Sequence, residues 1–95
     1  MVVGVLRLEL RLPESHSLKE KRSKLRAIKA RVQQKFNVSI AECEDHDVWQ
    51  RAILGVSQVG ADQPHVDRCL REVVGFIDDL QLVELGEERV EFLHY

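Results

Sequence analysis

Three observations predict an α+β domain of the ferredoxin-like type. Leucines alternate near the start, a capped helical period follows at once, and a strand-then-helix succession recurs further along. The predicted order is strand, helix, strand, strand, helix, strand, for which the split βαβ arrangement is the usual solution: βαββαβ, a four-stranded antiparallel sheet with two helices on one face. At 95 residues a chain buries only roughly 60 to 65 per cent of its unfolded surface and supports one core, so residues 1–95 are read as a single domain.

Residues 2 to 12 end in strict alternation, with Leu6, Leu8, Leu10 and Leu12 on one face and Arg7, Glu9 and Arg11 on the other, the pattern of a half-buried strand. Pro13 stops it, and Pro13-Glu14-Ser15-His16 turns into a helix. Ser17 and Glu20 form a capping box, so the helix starts at Ser17 and runs to about Lys35. Its stripe of Leu18, Leu25, Ile28, Val32 and Phe36 falls within about 80° on a helical wheel, and Lys21 falls inside that arc. Arg22, Arg26 and Lys29 flank the stripe on one side, Lys24, Arg31 and Lys35 on the other. Phe36 to Glu42 alternates again as a second strand, with Glu42 oddly on the inward face. After the polar loop Glu44-Asp45-His46-Asp47, Trp49 to Val59 reads as a third strand with Ala52, Leu54 and Val56 inward. Asp62 caps a second helix with Pro64 in its first turn, and Val66, Leu70, Val73, Ile77 and Leu80 carry its period. Leu82 to Tyr95 is a final strand or hairpin, with Gly86 as a turn or bulge.

Charge is unevenly placed. Eight of the fourteen Lys and Arg residues lie between Ser17 and Lys35. Residues 1 to 35 hold ten basic and three acidic groups, while residues 36 to 95 hold four and thirteen, within a net charge of −2. Such asymmetry is associated with polyanion binding, the alternative being that the two halves neutralise each other across the fold. Cys43 and Cys69 are far apart and lack metal spacing, so reduced thiols in a cytoplasm are expected. Met1 leads into a strand pattern that Arg7 interrupts, so neither a signal peptide nor a membrane span is expected.

Ser17-Leu18-Lys19-Glu20-Lys21-Arg22, Phe36-Asn37-Val38-Ser39-Ile40-Ala41-Glu42 and Asp47-Val48-Trp49-Gln50-Arg51, in that order and spacing, resemble the YlxP-like family of small bacterial proteins. The resemblance covers nearly the whole chain. It implies a ferredoxin-like fold, and a role linked to translation or ribosome maturation, because genes of the family often sit among those for translation initiation and ribosome maturation factors.

In a right-handed βαβ unit the second strand runs parallel to the first. The start of the first helix, the end of the second strand and the start of the third therefore share one end of the sheet. Ser17, Lys21, Arg22, Glu42, Asp47, Trp49, Gln50 and Arg51 are expected to cluster there, with Glu42 paired to Lys21 or Arg22 because an unpaired buried charge is very costly. One reading of the cluster is a salt-bridged plug with Trp49 packed over it. The other is a recognition pocket in which Lys19, Lys21 and Arg22 hold phosphate and Trp49 stacks on a base. Lys24, Arg26, Lys29, Arg31 and Lys35, joined by Arg51, are candidates to track a nucleic-acid backbone.

Several chemistries are disfavoured. The central strand Arg51-Ala52-Ile53-Leu54-Gly55-Val56 lacks the stacking aromatics of an RNA recognition motif. The first turn lacks the glycine-rich, arginine-bearing phosphate loop of an acylphosphatase. Cys43 to Asp47 offers no tetrahedral ligand spacing, so no metal or other cofactor is expected. No serine or cysteine sits in a nucleophile motif, so no catalytic residue is assigned. Two functions fit: a non-enzymatic RNA-binding accessory protein acting near the ribosome, or a protein interaction module, either a homodimer or a partner of an acidic protein surface.

Overall fold

A computed structural model describes residues 1–95. The elements are β1 (Val2–Arg11), α1 (Leu18–Lys35), β2 (Ser39–Glu44), β3 (Arg51–Gly60), α2 (Gln63–Asp79) and β4 (Glu84–His94). The strands form one sheet in the order β2-β3-β1-β4, with every neighbouring pair antiparallel. This is the expected ferredoxin-like arrangement.

Both helix starts follow from side-chain chemistry. Ser17 Oγ accepts from the Glu20 N–H at 3.1 Å, and Asp62 Oδ1 accepts from the His65 N–H at 2.9 Å, each satisfying a donor that the first helical turn leaves free. The Glu20 carboxylate reaches back to the His16 N–H at 2.8 Å, one residue earlier than a standard capping box. Leu25, Ile28 and Val32 of α1 and Val66, Leu70, Val73 and Ile77 of α2 pack on the sheet-facing residues Leu6, Leu8, Leu10, Ala52, Leu54 and Val56 in one buried cluster.

Strand boundaries differ from the alternation at two places. Phe36 is extended but serves as the C-cap of α1, its N–H bonding to Val32 O at 2.8 Å, and β2 begins only at Ser39. Trp49 precedes β3, which begins at Arg51, because the β2–β3 connection is a turn held by a Val48 N–H to Asp45 O bond. The last segment is one strand rather than a hairpin.

Each edge strand carries an extra residue. β2 bulges between Glu42 and Glu44, and β4 bulges opposite Glu9, where Gly86 and Glu87 lie. At the other end of β1, Gly4 lets α2 approach closely: a β-carbon there would lie 2.4 Å from Val66 Cγ1 and 2.9 Å from Leu70 Cδ1. Both are fully buried and have nowhere to move.

Gly4→Ala is therefore expected to push α2 off the sheet and cost about 1–3 kcal/mol, the range for overpacking a tight core. Urea unfolding of the two proteins measures it.

Candidate functional site

Lys21 lies at the end of the sheet where the start of α1, the end of β2 and the 45–50 turn meet. A lysine on the apolar face of a helix must leave its ammonium in solvent or surround it with oxygens. Here the side chain is 1% exposed. Nζ donates to the backbone carbonyls of Asp45 at 2.5 Å and Val48 at 2.7 Å, and Glu42 Oε2 lies 2.9 Å away. Three oxygens thus face an ammonium with three protons, and the inward-facing Glu42 has its cation.

The surrounding backbone is tied to the same centre. Asp45 takes a left-handed conformation (φ 62°), which an aspartate tolerates better than most residues and which helps bring its carbonyl and that of Val48 to one ammonium. Gln50 Nε2 donates to Pro13 O and Ser15 O, both at 3.2 Å, and Leu12 N–H donates to Gln50 O at 3.0 Å. Ser15, read from sequence only as a turn residue, is fully buried, with its hydroxyl donating to Ser17 O at 3.3 Å. The 45–50 turn is thereby fastened to α1 and to the segment leading into it.

Not every expected member joins this arrangement. Trp49 is 52% exposed, so it does not cover the plug. Asp47 is exposed and makes no ion pair. Lys21 is too enclosed to meet an external phosphate. Arg51 turns to the sheet face opposite the helices, where its Nε lies 3.0 Å from Glu9 Oε2 and 3.2 Å from Asp45 Oδ2. It belongs to an ionic lattice, not to the surface of α1.

That lattice was not legible in the sequence. Glu9 looked like a solvent-facing strand residue, yet it accepts from the Glu87 N–H of the β4 bulge at 3.1 Å and pairs with Arg11 as well as Arg51. The Glu87 bond, helped by the two arginines, holds the Glu9 carboxyl below its ordinary value. Arg7, at 3.1 Å, lowers Glu44 likewise, first by hydrogen bonding and then by charge. Ile53, flanked in register by Glu9 and Glu44, is wholly buried although it lies on the face without helices.

The basic residues of α1 outside the plug divide in two. Lys35 Nζ lies 5.7 Å from the Phe36 ring centre and 4.9 Å from that of Phe76 of α2. Lys24 shares a hollow with Glu14, Gln81 and Glu84. Lys24 and Lys35 therefore adjoin α2 and acidic residues, although neither they nor Arg31 on the same flank form an ion pair. The opposite flank, Lys19, Arg22, Arg26 and Lys29, points away from α2, spans about 15 Å at the helical rise per residue, and contains no ion-paired residue.

Fold and site together define a small ferredoxin-like α+β protein with a lysine-centred plug at one end of its sheet and a free basic ridge on its first helix. The chain belongs to the DUF503 family, described as a protein of unknown function, whose family model matches residues 3–90. It is 37% identical over 91 residues to the uncharacterized protein YlxP of Bacillus subtilis (strain 168), covering 96% of this chain and 99% of that one. In overall fold it is similar to the de novo designed protein Foldit4, with a TM-score of 0.54 at 14% identity over 99% of this chain and 97% of the other. No helix is long and apolar enough to cross a membrane.

Two measurements test the site. Lys21→Met leaves Glu42 and two carbonyls without their cation and is expected to cost about 3 kcal/mol, the scale for breaking a buried pair. Urea unfolding should show Lys21→Met/Glu42→Leu recovering part of that loss. For pH, Glu9 and Glu44 have folded values below the ordinary 4.5. Their contribution is present above the unfolded value and is lost as pH falls through the folded one. The urea midpoint is expected to fall as pH drops below about 4.5, and less steeply in Glu9→Gln, which keeps an acceptor for the Glu87 N–H.

Proposed function

We propose that the protein is a non-enzymatic accessory factor that binds structured RNA near the ribosome through Lys19, Arg22, Arg26 and Lys29 of α1. The observation that carries this reading is that these four cations stand on one flank of one helix without a carboxylate partner. Solvated charges that pair locally add little to binding, whereas unpaired cations at helical spacing can each displace a counterion from a phosphate backbone. Arg22 and Arg26, one turn apart, present guanidinium forks suited to phosphate oxygens. Trp49, exposed in the turn that Lys21 fastens to the same helix, is available to stack on an unpaired base.

The reading favours backbone contact over sequence recognition. No aromatic residue lies on β1 or β3, so the stacking platform of an RNA recognition motif is missing. The overall charge of −2 weakens attraction to nucleic acid on other faces and leaves the ridge as the attractive one.

A mobility-shift titration against structured ribosomal RNA over a salt series tests this. The unmodified protein is expected to bind near 0.1 M salt, with a dissociation constant no weaker than roughly 10⁻⁴ to 10⁻⁶ M. Arg22→Gln/Arg26→Gln/Lys29→Gln should reduce the slope of log affinity against log salt by about two to three. The corresponding Lys24, Arg31 and Lys35 changes should have a smaller effect. Absence of binding by the unmodified protein at that salt overturns the reading.

A further inference from the structure

We propose that the sheet face opposite the helices is the interface of a homodimer, covered by the same face of a second copy across a twofold axis. Both helices pack on one side of the sheet, and the register lays out the other side row by row. Val59, Val3 and Leu93 form one row, Ser57, Val5 and Glu91 the next, and Gly55, Arg7 and Arg89 a third, with Ser39 and Ala41 of β2 beside Ser57 and Gly55. The first row, with Val5, Ser57, Gly55, Ser39 and Ala41, makes an apolar or small region of this face, bordered by Glu91, Arg7 and Arg89. Val59, Leu93 and Val5 are 62%, 46% and 38% exposed, an adjoining apolar group of the kind that marks an interaction surface.

The face has the shape that a self-complementary contact needs. Next to the protruding valines and leucine lies a hollow of about 290 Å³ lined by Val5, Ser39, Ala41, Cys43, Gly55 and Ser57. Gly55 forms its floor, where a β-carbon would meet Cys43 Sγ at 2.6 Å. Projection and hollow on one face allow each copy to fill the other, which a twofold contact requires.

Charge selects the occupant. The charged groups of the face are Arg7, Arg11, Arg51 and Arg89 against Glu9, Glu44, Asp45, Glu87 and Glu91. The face is nearly neutral, so it attracts neither a polyanion nor a strongly charged protein, while a second copy can exchange arginine and carboxylate partners across the axis. Four strands at their usual spacing and about ten residues of rise give roughly 600 Å² per copy, or about 1,200 Å² in all, the lower limit of a standard stable interface. Stacked sheets pack about 10 Å apart, leaving both α1 helices on the outside and the basic ridge unobstructed.

Sedimentation velocity over a concentration series tests the proposal. The unmodified protein is expected to reach twice the 11.0 kDa chain mass. Val5→Glu/Val59→Glu, at positions already exposed, should keep a native circular dichroism spectrum and raise the dissociation constant at least about 100-fold, since it sets like charges into the contact. Leu93→Lys, in the same row as Val59, should act in the same direction and provides an independent variant. The triple Arg22, Arg26 and Lys29 substitution should leave the dimer intact, so failure of RNA binding and failure of dimerisation are separable. A monomer at every concentration, or a dimer that survives both face variants, overturns the proposal.

Discussion

A single ammonium group sets the geometry at one end of the molecule. Lys21 lies where the helical period calls for a leucine, and three oxygens from two other segments converge on it. Replacing such a buried ion pair with apolar side chains is often neutral or stabilising, so this arrangement is better understood through what it positions. Two of the three oxygens are backbone carbonyls, which fix the path of the 45–48 turn against α1. An apolar contact would hold the turn nearby without choosing one arrangement of its carbonyls. The turn in turn presents Trp49 to solvent and brings Gln50 to the carbonyls of Pro13 and Ser15.

The same enclosure separates the positive charges by task. Lys21 is consumed internally and Arg51 is drawn to the opposite face by Glu9 and Asp45. Lys24 and Lys35 lie near α2 and acidic neighbours. The cations of α1 that lie away from these acidic neighbours are Lys19, Arg22, Arg26 and Lys29 on one flank, with Arg31 on the other. The sum over residues 1 to 35 exaggerates the positive surface, because Arg7 and Lys21 are answered by Glu44 and Glu42 from the rest of the chain. The two bulk readings of the charge asymmetry, polyanion binding and mutual neutralisation, each describe a different set of side chains.

The fold was legible in the sequence because its signals are local. Alternation in β1, the Ser17 and Asp62 caps and the period of α2 each depend on neighbouring residues. The Glu42 and Lys21 pair was accessible too, since each charge occupies an apolar position of its own pattern and topology brings them together. Phe36 and Trp49 misled for one reason: an apolar residue beside a strand looks like part of its alternation, while backbone bonds made by the α1 C-cap and the 45–48 turn determine where pairing begins. The position of Arg51 and the enclosure of Glu9 had no local signal. Both depend on cross-strand register and on a bulge in β4, which appear only after the strands are paired. Ser15 is similar, its burial arising from Gln50, thirty-five residues away.

The two edge bulges have a consequence for how the protein behaves when crowded or partly unfolded. An open four-stranded sheet offers two rows of free backbone donors and acceptors, and a regular edge is a template onto which another chain can add indefinitely. Here β2 is only six residues long and is interrupted at Cys43, while β4 breaks step at Gly86 and Glu87 and carries four glutamates within its eleven residues. Neither border offers a long, uncharged, unbroken run for strand addition. The chain thus leaves a broad sheet face uncovered while its borders resist fibrous polymerisation, a safeguard for a protein made in a crowded cell.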